Sequence, residues 1–211
     1  MGLSILYFYN HSSPWTYLGH DRFLSVASRA GAEIAFRPCD SHAVFSVSGG
    51  LPVRQRAAQR QAYRLTELER WRTFLGMPLM IQPKSSPCSP ELSNRFVIAA
   101  QDAGECVGRL SGALLRALWA EDRNIADATV IGAVADELGM DGAALLKASA
   151  SDKVSALYQA YTREAIERQV FGAPTYIYDD EMFWGQDRLE FLERKLRDFD
   201  PGCARARGKL E

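Results

Sequence analysis

The chain has 211 residues, of which 47% are hydrophobic and 24% charged, and its formal net charge at pH 7 is -1. This composition is that of an ordered globular protein of about one to one and a half domains, and it excludes a chain that is mostly disordered. The nearly neutral charge argues against nucleic-acid binding by bulk electrostatics. No apolar run approaches the roughly 18 residues that a membrane span needs, so we expect no membrane partner.

The amino terminus and the cysteines indicate a reducing, cytoplasmic location. The stretch Met1–Ile5 does not begin a basic segment followed by an apolar core, as a secretory signal would. The cysteines form no CxxC pair and have no histidine at ligand spacing, so the sequence favours neither a disulfide framework nor a metal site. They are Cys39, Cys88, Cys106 and Cys203.

The opening of the chain predicts a βαβ unit. Ile5–Tyr9 is an apolar and aromatic run of strand length, typical of a strand buried in a central sheet. Ser13 followed by proline is a helix-start signal, which predicts a helix over Pro14–Arg29 that ends near Gly31. Glu33–Arg37 alternates in polarity and predicts a second strand.

The middle of the chain predicts only helices. Arg54–Phe74 is rich in arginine and is predicted as one helix whose charges form a solvated face, with one arginine binding an anionic ligand. Leu110–Leu118 has the spacing of an amphipathic helix. Asp127 and Asp141 are each predicted to cap a further helix, and Val154–Val170 carries the last one.

Strands return only near the end. Pro174–Tyr178 and Glu181–Trp184 flank a turn and predict a β-hairpin. Asp187 is predicted to cap a final helix that extends to Phe199, and the tail from Pro201 is predicted to be frayed.

The resulting order is βαβ, a block of helices, then ββα, which predicts an α/β protein with a thioredoxin-like fold and an all-helical domain inserted between its halves. The predicted thioredoxin-like domain is discontinuous and comprises residues 1–45 and 168–200. The inserted helical domain comprises residues 46–167, and residues 201–211 form a flexible tail.

The start of the first predicted helix is a candidate catalytic position. In the thioredoxin layout a reactive CxxC lies there, because the helix N-terminus favours a thiolate. Here Ser13 and Thr16 stand where the two cysteines would be, which excludes dithiol redox chemistry at this site. The Ser13 hydroxyl can either donate a hydrogen bond to a thiolate carried by another molecule or serve only as a helix cap.

Two further motifs are candidate binding elements. Pro174 opens a strand where thioredoxin-like sheets use a cis peptide bond, and there the backbone of Ala173 would pair with an extended peptide; an ordinary trans proline is the alternative. Gln186 and Asp187 begin the last predicted helix, where free amides can hold a carboxylate and the Asp187 carboxylate can pair with an ammonium group. A simple helix cap is the alternative for Asp187.

Three segments together resemble the 2-hydroxychromene-2-carboxylate isomerase family, a relative of class kappa glutathione transferases among the DsbA-like thioredoxins. The resemblance extends from about Ile5 to Leu196. The segments are SPWTYLG at Ser13–Gly19, ERWRTFLGMPL at Glu69–Leu79, and AIERQVFGAPTYIYDDEMFWGQDRLEFLE at Ala165–Glu193.

The resemblance implies a homodimer that binds glutathione as cofactor and acts on a small aromatic substrate. Ser13 would stabilise the glutathione thiolate, and the backbone at Ala173–Pro174 would pair with the cysteinyl part of the tripeptide. Gln186 and Asp187 would hold the γ-glutamyl headgroup, and Arg60 stands where the family has a glutathione-binding lysine. This chain departs from the family pattern at Asn10, Ser12 and Gly49–Gly50.

In that family the reaction interconverts 2-hydroxychromene-2-carboxylate and trans-o-hydroxybenzylidenepyruvate, a step of naphthalene-type aromatic breakdown. Two alternatives stay open on the sequence. One is a kappa-like glutathione transferase, which would consume glutathione. The other is a redox-inactive DsbA-like protein that holds peptides along the strand that begins at Pro174.

Overall fold

The computed structural model describes residues 3–198 and begins with the predicted βαβ unit. Strand β1 is Ser4–Tyr9, helix α1 is Pro14–Ala30 and strand β2 is Glu33–Pro38. The Ser13 side chain caps α1 by accepting a hydrogen bond from the Thr16 amide. Helix α1 ends at Gly31, whose φ of 63° favours glycine.

Seven helices follow within the described chain before strands return. Two of them, α2 and α4, were not predicted, although Asp40 before α2 is an ordinary N-cap signal. The arginine-rich stretch predicted as one helix is instead broken into a short 3-10 helix at Val53–Gln55 and a longer α-helix that ends before Gly76. The seven are α2 (Ser41–Ser48), α3 (Ala58–Leu75), α4 (Glu91–Asp102), α5 (Val107–Trp119), α6 (Ala128–Glu137), α7 (Gly142–Ser149) and α8 (Asp152–Glu167).

The predicted hairpin is confirmed as β3 (Thr175–Tyr178) and β4 (Glu181–Trp184). The turn residues Asp179 and Asp180 both have positive φ, 52° and 58°, as a two-residue hairpin turn requires. After β4 come a short 3-10 helix and the last helix, α9, at Leu189–Arg197.

The prediction that Asp187 caps the last helix is wrong. Asp187 lies inside the 3-10 helix Gln186–Arg188, and the residue before α9 is Arg188, which makes no side-chain cap. The Asp187 carboxylate instead pairs with the Arg188 guanidinium at 2.7 Å. Phe199 and the predicted flexible tail, residues 201–211, lie outside the described residues.

The four strands form one mixed sheet in the order β2-β1-β3-β4. β1 and β2 are parallel because α1 crosses between them, and β3 and β4 are antiparallel because a tight turn joins them. β1 also pairs with β3 in antiparallel fashion, from Leu6 opposite Ile177 to Phe8 opposite Thr175. Strands from both ends of the chain therefore meet at the centre of the sheet, which confirms the thioredoxin-like fold.

Helix α1 joins the sheet to the helices of the middle of the chain. Its Phe23 packs with Tyr7, Tyr176 and Leu192 of α9 in the core on one face of the sheet. Other residues of α1, such as Leu18, belong to a separate core that the middle helices form. The opposite face of the sheet is covered by α8, whose residues pack on Phe8 and Ile177. Within residues 3–198 we find no helix of the length and apolarity needed to cross a bilayer.

Candidate active site

Ser13 and Ala173 meet at one edge of the sheet although 160 residues separate them. The Ser13 hydroxyl donates a hydrogen bond to the Ala173 carbonyl oxygen at 3.2 Å and accepts one from the Thr16 amide at 3.2 Å. The Ser13 side chain remains half-buried at the N-terminus of α1, where the helix dipole favours negative charge. The structure therefore joins the two sequence motifs in one site.

The peptide bond between Ala173 and Pro174 is cis, the alternative that the sequence left open. The register between β1 and β3 ends at Thr175, so the half-buried Ala173 lies beyond the last paired residue. The Pro174 carbonyl accepts a hydrogen bond from the Gly185 amide at 2.9 Å, which connects this turn to the end of β4. The turn at Ala173–Pro174 is thus held by Ser13 on one side and by Gly185 on the other.

Gln186 and Asp187 lie at the end of β4, where Gly185 turns the chain with a φ of 96°. The Gln186 side chain is buried, and its Oε1 accepts a hydrogen bond from Arg22 of α1 at 2.6 Å. Gly19 makes room for it, since a Cβ there would lie 2.6 Å from the Gln186 Cβ. Gln186 therefore fixes β4 to α1, and Asp187 is the member of the pair with an exposed carboxylate.

The predicted site residue on α3 is Arg60, and its role stays a prediction. It lies exposed in the first turn of α3, and no hydrogen bond or ion pair within residues 3–198 joins it to Ser13, Ala173 or Asp187. Arg60 lies close enough to Arg56 for its charge to add to burial in lowering the pKa of the Arg56 guanidinium. The structure thus groups Arg60 with other arginines.

A buried polar network that begins at His11, two residues before Ser13, was not predicted from the sequence. His11 is fully buried, and its Nδ1 lies 2.8 Å from the Asn94 Oδ1 on α4. The Asn94 amide nitrogen donates to the Cys39 carbonyl at 3.3 Å, so the Asn94 oxygen is the acceptor for His11. Burial lowers the pKa of His11 to about 3, and the ring is neutral at physiological pH. The sequence places His11 beside Ser13 but carries no signal that pairs it with Asn94.

The described chain offers no sulfur nucleophile or metal centre of its own at this edge. Burial raises the pKa of the Cys39 thiol to about 12, so it stays protonated at neutral pH. Within residues 3–198 no group of three histidine, cysteine or acidic side chains could hold a metal ion. What the site presents is a hydroxyl donor, a helix N-terminus and a half-buried residue, Ala173, next to the start of β3. These groups suit a ligand that carries its own anionic nucleophile.

Comparisons with known proteins agree with this architecture. A family model described as a DSBA-like thioredoxin domain matches residues 4–197. The chain is 29% identical to a 2-hydroxychromene-2-carboxylate isomerase of Sphingobium xenophagum over 94% of this chain and 100% of the relative. It is 28% identical to an enzyme of the same name from Pseudomonas putida, over 90% of this chain and 92% of the relative.

A solved structure of a 2-hydroxychromene-2-carboxylate isomerase is also similar. It superposes with a TM-score of 0.79 at 25% sequence identity, and the match covers 99% of each chain. The similarity therefore includes the helices inserted between the two halves of the sheet, and the site edge lies within the matched region.

Proposed function

This chain belongs to the DsbA-like thioredoxin family, and from that premise we propose that it is a glutathione-dependent isomerase. It interconverts 2-hydroxychromene-2-carboxylate and trans-o-hydroxybenzylidenepyruvate in the breakdown of aromatic compounds. The observation that carries the proposal is the contact between Ser13 Oγ and the Ala173 carbonyl at the N-terminus of α1, in a chain whose full-length relatives bear this enzyme name.

The residues at this edge fit a glutathione tripeptide. Ala173 is half-buried and belongs to none of the strand pairs among residues 3–198, which suits pairing with an extended peptide. The exposed Asp187 carboxylate, whose ion pair among residues 3–198 is with its neighbour Arg188, suits the ammonium group of the γ-glutamyl part. Gln186 contributes by holding the end of β4 against α1 through Arg22, since its side chain is already engaged. Arg60 is the proposed cationic partner for a carboxylate of the tripeptide.

Ser13 has the central role in the mechanism that we propose. Glutathione, when bound, would supply a thiolate for reversible addition to a conjugated carbon of the substrate, which would permit rotation about the former double bond. The Ser13 hydroxyl releases the Ala173 carbonyl and donates its hydrogen bond to the anion instead. The α1 dipole acts in the same direction, so both lower the pKa of the bound thiol.

The assay that tests the function follows the absorbance of 2-hydroxychromene-2-carboxylate with and without glutathione while free thiol is counted. The proposal expects turnover that needs glutathione and leaves the thiol concentration constant. Steady loss of free thiol would instead indicate a kappa-like glutathione transferase. Absence of turnover together with absence of glutathione binding would favour a peptide-binding protein without catalytic activity.

We further propose that the enzyme is a cytoplasmic homodimer. The family resemblance supports the dimer, and reduced cysteines in the described chain support a reducing compartment. Light scattering should then report twice the chain mass of 23.5 kDa. A monomer at micromolar concentration would remove the dimer from the proposal and leave the reaction as it stands.

A further inference from the structure

Four arginines, two just before α3 and two in its first turns, are hereafter called the arginine cluster, and they have no acidic partner among residues 3–198. No aspartate or glutamate occurs between Ser41 and Thr66. Within residues 3–198 no ion pair is formed by any member of the cluster, whereas other arginines of the same helix are paired: Arg70 contacts Glu67 at 2.6 Å. The members are Arg54, Arg56, Arg60 and Arg64.

This arrangement is unfavourable without an anion. The cluster lies at the N-terminal end of α3, where the helix dipole disfavours positive charge. Arg56 and Arg64 are half-buried, and burial followed by the neighbouring guanidinium charge lowers the pKa of each. A protein that places partly desolvated, mutually repelling cations together gains from a ligand that neutralises them.

The segment that carries the cluster is attached to the active-site edge at both ends. Before it, the Asn10 side chain donates a hydrogen bond to Ser41 Oγ at the start of α2. After it, Leu68 of α3 belongs to the hydrophobic core against which Trp15 of α1 packs. Arg64 lies one helical turn before Leu68 and so shares the inward face of α3.

We propose that Arg56 and Arg64 bind the carboxylate of the aromatic substrate. This inference rests on the proposed function and names the substrate group that the site selects. The Arg56 Nε donates to the Leu51 carbonyl at 2.8 Å, which orients the guanidinium and leaves its two terminal nitrogens for a ligand. Guanidinium groups match carboxylates in paired hydrogen bonds, and the relatives are named for a substrate that carries one.

The test compares a carboxylate ligand with its neutral counterpart. Titration calorimetry measures the binding of chromone-2-carboxylate and of chromone to the full-length protein with glutathione present. The wild type should prefer the carboxylate. Arg56→Gln and Arg64→Gln should each weaken carboxylate binding by about 10-fold or more and leave chromone binding within about 2-fold. Arg70→Gln is the matched control on the same helix and should change neither.

A binding role and a merely structural role predict different results. If the arginines bind substrate, loss of an unpaired, half-buried cation should leave the melting temperature unchanged or raise it, and Arg64→Lys should restore part of the carboxylate affinity. The proposal is overturned if the wild type binds both probes equally, if the glutamine variants weaken both equally, or if they lower the melting temperature without changing the preference.

The outcome is separable from that of the proposed function. If the wild type isomerises 2-hydroxychromene-2-carboxylate and both glutamine variants keep its KM, the inference fails and the isomerase stands. If the arginines set a preference for chromone-2-carboxylate but no isomerisation occurs, the carboxylate site stands and the isomerase reaction fails.

Discussion

The first turn of α1 and the middle of the same helix are held in opposite ways. At the first turn, Ser13 is half-buried and makes one hydrogen bond to its own helix and one to Ala173. In the middle, His20 is almost fully buried between Tyr7 on the sheet and the Gly108 carbonyl on α5, at 3.2 and 2.9 Å. The half-buried Ser13 hydroxyl can exchange a partner for a ligand, whereas the His20 ring is too deeply buried to do so. One helix thus separates a position for chemistry from a position for stability.

The largest effect should come from Ser13→Ala and should fall on activity. We expect kcat to fall about 100-fold, since a hydrogen-bond donor to the developing charge is lost. The glutathione KM should change less, and the lost helix cap should lower the free energy of unfolding by about 1 kcal/mol. Steady-state kinetics and urea unfolding measure the two quantities.

Ser12→Ala is the matched control for that variant. The Ser12 hydroxyl donates to Asn10 Oδ1 at 2.8 Å and does not contact Ala173, so activity should be nearly retained. Equal losses of kcat in the two serine variants would show that the conformation of the whole turn affects activity. The proposed hydrogen bond from Ser13 to the thiolate would then be refuted.

A smaller effect, on stability, should come from Gly19→Ala in the middle of α1. The added Cβ would lie 2.6 Å from the Gln186 Cβ and 3.2 Å from the Tyr176 hydroxyl, so the gain in helix propensity is outweighed. We expect the free energy of unfolding to fall by about 1–3 kcal/mol, measured by urea denaturation. Ser28→Ala, exposed on the same helix, should stay within about 0.5 kcal/mol. A Gly19→Ala variant as stable as the wild type would refute the close packing of α1 on Gln186.

A further effect, on the pH dependence of stability, should come from His11. Its folded pKa, about 3, lies below the ordinary value of 6.5, so the unfolded chain binds the proton first as pH falls. Stability is therefore fully present above about pH 6.5 and declines towards pH 3, by about 1.4 kcal/mol per unit from this one group.

His11→Phe removes the group that takes up this proton. Between pH 5.5 and 4.5 the free energy of unfolding should therefore fall by about 1.4 kcal/mol less in the variant than in the wild type. Urea unfolding at both pH values, for wild type and variant, measures the difference. His20, whose pKa burial also lowers, is present in both proteins and cancels. Parallel pH profiles would mean that His11 is not buried in neutral form.

The sequence determined the elements that depend on neighbouring residues. The helix that begins after Ser13, the stop at Gly31 and the hairpin turn at Asp179 and Asp180 were all predicted, because capping and turn formation use contacts within a few residues. The failure at Asp187 has the same origin. An aspartate before a helix is a local signal, and a packed Gln186 overrode it by drawing the chain into a 3-10 helix.

Only the tertiary structure decided which distant residues share a site. Ser13 meets Ala173 because the central pairing of β1 with β3 brings the two ends of the chain together, and no local pattern specifies that distance. The contact of His11 with Asn94 and the contact of Gln186 with Arg22 likewise depend on how the helices pack. Local backbone preferences are encoded within a few residues, whereas burial and partner choice are properties of the whole folded chain.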